Sequence, residues 1–200
     1  MVKHIAGMLV AAIAALALAA CGTTAAARFY SLSSTTTVAT SAAAGGAPAG
    51  SVTVIVGPVS IPASVDRPEF VTTASANSVE INAFNRWAEP LNDGIARTIA
   101  GDLAAQLNGA TVAVAPLANF APTYRVSLRV QRFESSLNES VLVEAVWVVR
   151  KEPNGPAQSG HTLARETASG PGFDALTAAH SRALATISAD IAAAIRAPAT

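Results

Sequence analysis

The sequence has 200 residues, of which 51% are hydrophobic and 13% are charged, and its 13 basic residues balance its 13 acidic ones. This neutral charge, without any basic cluster, argues against a protein that binds nucleic acid. The length fits one domain of ordinary size with a substantial core. The only cysteine is Cys21, so no internal disulfide can form and the core alone must stabilise the fold.

The first 20 residues have the pattern of a lipoprotein signal peptide. Lys3 precedes an apolar run that ends in small residues immediately before Cys21. This run is shorter than the roughly 20 residues that a membrane-spanning helix needs. We therefore expect cleavage before Cys21 and covalent attachment of a diacylglyceryl group and an N-acyl chain, such as palmitate, to its thiol and amino group, and no cofactor. Gly22 in the next position predicts sorting to the outer membrane, with the domain facing the periplasm.

The mature chain begins with a short tether and continues as a single domain. We assign residues 21–27 to the tether and residues 28–197 to the domain. Residues 28–32 alternate apolar and polar side chains, as a first strand does. Residues 35–50 are rich in Ser, Thr, Ala and Gly, which predicts a flexible loop. Residues 51–61 contain the run VTVIV, which is apolar on both faces and predicts a central strand.

Most of the distinctive chemistry lies between residues 58 and 97. Four prolines exclude one long helix there. Two β-prone runs, residues 69–73 and 78–81, are separated by a short polar loop and predict a hairpin. Because the second strand returns antiparallel to the first, Pro68 should lie near Asn82. The segments on either side of the hairpin are therefore expected to be neighbours.

The sequence predicts two amphipathic helices. An apolar residue recurs at every fourth position from Leu91 to Leu107, with Asn92 or Asp93 as the candidate cap. Residues 173–195 carry a similar apolar stripe after a Gly-Pro-Gly turn.

The later strands follow from alternation and β-branched runs. Residues 111–115 form a short strand, and residues 124–131 and 141–150 form an antiparallel pair joined by about seven residues. Trp147 should face a covering helix, and residues 161–168 should be a weaker edge strand. Two helices with about six or seven strands predict an α/β fold, a single layered domain with one mixed sheet.

The segment V-G-P-V…P…D-R-P…V followed by F-x-R-W-A-E-P-L resembles the PqiC/YmbA family of ABC-type transport auxiliary lipoproteins, also described as membrane integrity-associated transporter subunits. The residues that carry the resemblance are Val56, Gly57, Pro58, Val59, Pro62, Asp66, Arg67, Pro68, Val71, Phe84, Arg86, Trp87, Ala88, Glu89, Pro90 and Leu91. The resemblance covers essentially the whole mature chain, but it is sharp only between about Val54 and Arg97.

The resemblance implies a mixed central β-sheet flanked by helices, with a topology related to anticodon-binding-like domains. It also implies a non-enzymatic accessory subunit of a transenvelope lipid transport system that contributes to membrane integrity. The partner would be an MCE-domain transport protein, with a homo-oligomer as a further expectation. An alternative from another class is a lipoprotein that regulates or adapts a periplasmic enzyme, such as a peptidoglycan synthase.

Seven residues of the resembling segments are candidates for a partner-binding surface. They are Asp66, Arg67, Pro68, Arg86, Trp87, Glu89 and Pro90. Tryptophan and arginine often anchor interfaces, but a tryptophan at the start of a helix also suits the core. Arg67 and Arg86 are better interface candidates than Trp87, because arginine is seldom fully buried without a partner.

The sequence offers no set of residues for catalysis or metal binding. Its three histidines are His4 in the signal, His161 in an exposed strand and His180 on the apolar stripe of the last helix, where a packing role is expected. No G-x-S-x-G, H-E-x-x-H, Walker or Rossmann pattern occurs. We therefore expect no enzymatic activity and no metal site.

Overall fold

A computed structural model describes residues 26–35 and 52–197 of the chain. The predicted signal peptide, Cys21, most of the tether and nearly all of the predicted 35–50 loop therefore lie outside the described residues. Within these two ranges the chain forms eight strands and two helices. They are β1 (Arg28–Tyr30), β2 (Thr53–Ser60), β3 (Glu69–Ser75), β4 (Ser78–Trp87), α1 (Leu91–Gln106), β5 (Thr111–Val114), β6 (Tyr124–Ser136), β7 (Ser140–Lys151), β8 (Ala157–Thr167) and α2 (Gly172–Arg196).

The larger sheet has five strands in the order β5-β2-β6-β7-β8. Strand β2 runs parallel to both β5 and β6, whereas β6, β7 and β8 follow one another antiparallel. Residues 54–57 of β2 are all buried, as predicted for a strand that is apolar on both faces. Strand β8 lies at the edge, as predicted, and the sheet is mixed.

The smaller sheet has three strands in the order β1-β4-β3. Strands β3 and β4 form the predicted antiparallel hairpin, and β1 runs parallel to β4 on its other side. The α/β class and the single domain are confirmed, but the strands divide into two sheets where the sequence predicted one. Residues 78–81, the first four of β4, are exposed, as suits a hairpin outside the larger sheet and not a strand at its centre.

Both helices lie on the same face of the larger sheet and contact each other. Helix α1 packs on β2 and β5, and α2 packs on β7 and β8. The residues at every fourth position of α1, among them Ile95, Ile99 and Leu103, are fully buried, which confirms the predicted stripe. The opposite face of the sheet carries alternating polar side chains such as Arg129 of β6. The helices therefore form one layer and do not flank the sheet on two sides.

Several details of the elements differ from the prediction, and β4 in particular extends to Trp87, six residues beyond the predicted end at residue 81. Strands β6 and β7 are joined by residues 137–139 and not by about seven residues, because Asn138 adopts a positive φ of 62° that permits a tight turn. Strand β8 begins at Ala157, four residues before the predicted start at residue 161. Helix α1 begins after Pro90 without a side-chain cap, so neither Asn92 nor Asp93 caps it. The Pro90 carbonyl instead accepts hydrogen bonds from the backbone N–H groups of the first turn, at 3.0 Å.

Trp147 anchors the part of the core beneath α2. Only 6% of its surface is exposed, and its indole N–H donates to the Thr162 hydroxyl at 3.0 Å. That hydroxyl donates in turn to the Asp190 carboxylate of α2 at 2.6 Å. The indole ring covers Gly160 of β8, where an added Cβ would lie 2.1 Å from Cζ2 of the ring. The predicted position of Trp147 under a helix is confirmed.

The variant Gly160→Ala is expected to lower the free energy of unfolding by about 1–3 kcal/mol, because the new methyl group must displace the indole ring. In a Trp147→Leu background the same change should cost much less, because the ring is gone. Urea unfolding of the four proteins measures this coupling. Ser159→Ala, at the neighbouring exposed position, is the control. An equal cost of Gly160→Ala in both backgrounds would contradict the contact.

Candidate functional site

The two segments on either side of the hairpin are neighbours, as the sequence predicted. The backbone N–H of Trp87 donates to the Pro68 carbonyl at 2.7 Å. Residues 66–68 and 87–91 together line a groove of about 400 Å³, which we call the docking groove. Six of the seven candidate residues line it, and Arg86 alone does not.

The detail of this contact differs from the prediction. In the hairpin, Phe70 lies opposite Asn82, but the next residue along β3, Glu69, lies opposite Arg86. Residues 83–85 therefore bulge out of the ladder between β3 and β4. The bulge moves the partner of Pro68 from the predicted Asn82 to Trp87. A prediction that assumes regular pairing between the two strands cannot locate this bulge, and so it assigns the wrong partner to Pro68.

Trp87 forms the floor of the docking groove and belongs to the core. It is 6% exposed and stacks on Phe70 with ring centroids 4.4 Å apart. Its edge also meets Phe133 of β6 at a centroid distance of 6.1 Å. Of the two interpretations of Trp87, the structure supports the core residue that seats the start of α1. The aromatic cluster fixes the position of the groove relative to the larger sheet.

His180 of α2 completes the aromatic cluster. It is fully buried, stacks on Phe133 at a centroid distance of 3.9 Å and lies with Nε2 2.8 Å from the Ser135 hydroxyl. Burial lowers its pKa from 6.5 to about 3, because the charged imidazolium would lose its water. His180 is therefore neutral at physiological pH and is a packing residue, as predicted. Residues 133 and 135 of β6 were not singled out in the sequence, because their contacts with α2 are remote in the chain.

Two charged candidates are engaged within the protein. Arg86 forms an ion pair with Glu69 at 3.0 Å. Glu89 pairs with Arg97 of α1, and the same guanidinium donates to the Leu32 carbonyl at 2.8 Å. Glu69 and Arg97 were not among the candidates. The Glu69–Arg86 pair could have been predicted, because Glu69 starts the first strand of the hairpin and Arg86 lies near the end of the second. The Glu89–Arg97 pair could not, because it depends on the direction in which α1 extends from the docking groove.

Asp66 and Arg67 differ from these engaged residues. Both are exposed at the rim of the docking groove. Within residues 26–35 and 52–197, neither side chain has a hydrogen bond or an ion pair. The backbone of Arg67 is held by its N–H, which donates to the Val65 carbonyl at 2.9 Å. The rim therefore presents one anionic and one cationic group on a fixed backbone, beside the exposed rings of Pro68 and Pro90.

The described residues hold no cluster of His, Cys, Asp and Glu side chains that could bind a metal ion. His161 lies with Nε2 2.8 Å from the Glu144 carboxylate on the exposed face of the larger sheet. No helix among the described residues is long and apolar enough to cross a membrane.

The model of a protein family described as the ABC-type transport auxiliary lipoprotein component matches residues 30–192. The chain belongs to this family. The match includes every residue of the docking groove and both helices apart from the last residues of α2. The resemblance inferred from the sequence is confirmed, and the protein is an auxiliary lipoprotein of the transport family.

Solved structures share the fold of this auxiliary lipoprotein. One uncharacterized protein is 20% identical, with 86% of this chain and 99% of that chain covered and a TM-score of 0.69. Protein XCC0632 from Xanthomonas campestris is 17% identical, with 83% of this chain and 93% of that chain covered and a TM-score of 0.63. At these identities the likeness concerns the fold alone. A search of the curated proteins found no significant match.

The buried neutral His180 predicts a loss of stability in acid. An unfolded histidine binds a proton below its ordinary pKa of 6.5, whereas the folded one stays neutral down to a pKa of about 3. The free energy of unfolding should therefore fall by about 1.4 kcal/mol for each pH unit between these values as the pH decreases. His180→Phe keeps the ring stack but removes the titration, so its unfolding free energy should decline less steeply.

Urea unfolding between pH 7 and pH 4 measures these slopes for the parent and for His180→Phe. Ser159→Ala, which changes an exposed side chain that does not titrate, is the control and should keep the slope of the parent. If the parent and His180→Phe show the same slope, folding does not lower the pKa of His180.

Proposed function

We propose that the protein is a non-enzymatic accessory subunit of a transenvelope lipid transport system that works with an MCE-domain transport protein and contributes to membrane integrity. The observation that carries the proposal is the docking groove in a chain of the transport auxiliary family. Its rim carries the charged side chains of Asp66 and Arg67, which have no partner among the described residues. ATP hydrolysis would belong to other subunits of the system.

The role of the groove would be to bind the partner without a change in the fold. Arg67 would donate two parallel hydrogen bonds to a carboxylate of the partner, a geometry that lysine cannot provide. Asp66 would accept hydrogen bonds from a basic or amide group beside it. Pro68 and Pro90 stiffen the rim, which lowers the entropy lost on binding. Arg86, Trp87 and Glu89 would hold this surface in place through their internal contacts.

Lipid anchoring would supply the second attachment. Cys21 would carry a diacylglyceryl group and an N-acyl chain, and Gly22 would allow sorting to the outer membrane, with the domain in the periplasm. The acyl chains would then hold one side of the domain at the membrane while the docking groove holds the transport protein. The protein would connect the transporter to the membrane and would carry out no chemistry on the lipid.

Cys21→Ala should abolish lipidation, because the sequence contains no other thiol. We expect the variant to lose incorporation of labelled fatty acid and to leave the membrane fraction or remain uncleaved. Cells grown with labelled palmitate, followed by fractionation and gel analysis, test this expectation. Label retained on the variant would rule out Cys21 as the attachment site.

Arg67→Glu should prevent the protein from binding its transport partner while leaving the domain folded, because the arginine has no internal ion pair among the described residues. We expect a large loss of co-purification and a melting temperature close to that of the parent. Arg150→Glu is the matched control, since Arg150 is also exposed and without a described partner but lies near the far end of β7, opposite Ala157.

Crosslinking in cells and identification of the co-purified proteins separate the possible partners. An MCE-domain protein lost only from Arg67→Glu supports the proposal. A peptidoglycan synthase in its place would favour the regulatory alternative, and loss of self-association on size exclusion would assign the groove to a second copy of the chain. A folded Arg67→Glu variant that retains its partner would remove Arg67 from the interface.

A further inference from the structure

A second groove lies beside β1, apart from the docking groove. It has a volume of about 550 Å³ and lies between β1, the bulge of β4 and the start of α2. Its floor is closed by Tyr30, whose hydroxyl donates to the Asn85 side chain at 2.9 Å. Its rim carries Arg28, Phe84 and Asp174. We call it the tether groove, because Ala26, the first described residue, is part of its lining.

The tether groove lies in the part of the protein where apolar side chains are most exposed. Phe84 is 49% exposed, and the neighbouring strand β1 carries Phe29 at 64% exposure. Of the seven large hydrophobic residues that are exposed among the described residues, four lie on β1 and β4, and two of these, Phe29 and Phe84, belong respectively to β1 and to the tether groove itself. Single exposed apolar residues need no explanation, but a concentration of them on one small sheet marks a surface that contacts something.

The charged side chains of the tether groove, like those at the rim of the docking groove, have no partner among the described residues. Arg28 and Asp174 are exposed, and neither side chain has a hydrogen bond or an ion pair within the described ranges. One cation and one anion line the same groove without pairing with each other. This arrangement complements a zwitterionic head group, in which a phosphate and an ammonium group are joined by a short linker.

The position of the groove along the chain decides among its possible occupants. Five residue steps separate Cys21 from Ala26, so the distance between them is at most about 18 Å. The head-group layer on each side of a bilayer is about 5–8 Å thick. If Cys21 carries acyl chains, as the proposed function requires, the tether groove must lie at or just above the lipid head groups.

We propose that the tether groove and Phe29 form a membrane-contact surface that recognises zwitterionic phospholipid head groups. Arg28 binds the phosphate, Asp174 faces the ammonium group, and the rings of Phe29 and Phe84 enter the interfacial layer, where aromatic side chains are favoured. The acyl chains on Cys21 attach the protein, and this surface orients it. The domain then presents a fixed side to the membrane and does not rotate freely on its tether.

The test uses the mature, lipidated protein in vesicles of phosphatidylethanolamine and phosphatidylcholine that contain a brominated phospholipid. Because Cys21 is the only cysteine and is acylated, Phe84→Cys or Phe29→Cys provides a single reactive thiol for an environment-sensitive fluorophore. Gln158→Cys is the matched control. Gln158 lies near the start of β8, nine residues before the last residue of the strand, Thr167. The start of α2 adjoins the Thr167 end, so Gln158 is about 30 Å from the tether groove side of the sheet.

We expect a blue shift and quenching by brominated lipid at positions 29 and 84, and neither at position 158. Arg28→Glu should reduce the quenching at position 84, whereas Arg165→Glu, which changes an exposed and unpartnered arginine of β8, should not. Melting curves confirm that each labelled variant is folded.

Other results would overturn the proposal in distinguishable ways. A protein that floats with the vesicles but shows no more quenching at position 84 than at position 158 removes the membrane contact and leaves the lipid anchor intact. A protein that does not float overturns the anchor and this inference together. A blue shift that grows with protein density, without quenching by lipid, assigns the surface to a second copy of the chain.

Discussion

The arrangement of the protein depends on the aromatic cluster formed by Phe70, Trp87, Phe133 and His180. The stack of Trp87 on Phe70 lies in the smaller sheet, and the stack of His180 on Phe133 joins α2 to the larger sheet. The edge contact between Trp87 and Phe133 connects the two stacks. Because backbone position follows side-chain packing in so dense a core, the docking groove above Trp87 inherits its shape from contacts that reach across both sheets.

The smaller sheet also connects the two proposed attachment sites. Strand β1 lies beside the tether groove, and the end of β4 forms the floor of the docking groove. The segment after β1 is held by α1 and α2, since the Ser33 N–H donates to the Ser181 hydroxyl at 3.2 Å and the Thr35 N–H donates to the buried Asp102 carboxylate at 3.1 Å. A pull on the tether would therefore be resisted by the packed helices as well as by β1.

Local patterns predicted the elements of the fold but not their assembly. The four-residue period of α1, the alternation of β6 and the apolar run of β2 each reflect burial on one or two faces, which the sequence encodes directly. The division into two sheets depends on which strands pair at a distance. The bulge at residues 83–85 of β4 lies where β4 begins to pair with β1 as well as β3, and no local pattern in the sequence encodes that pairing.

The same limit applies to the docking groove. The sequence brought its two segments together because a hairpin returns to its start, and it identified the residue types that suit an interface. It could not tell which charges remain available, because an ion pair depends on the final geometry of both partners. Arg86 and Arg67 looked equivalent in the sequence, but Arg86 lies opposite Glu69, whereas Arg67 lies in the turn before the strand and is exposed.

The ion pair between Arg86 and Glu69 adds little stability, because an exposed ion pair contributes at most about 1 kcal/mol. Its consequence is that the Arg86 guanidinium already has an internal partner, whereas Arg67 lies exposed at the rim of the docking groove without a partner among the described residues.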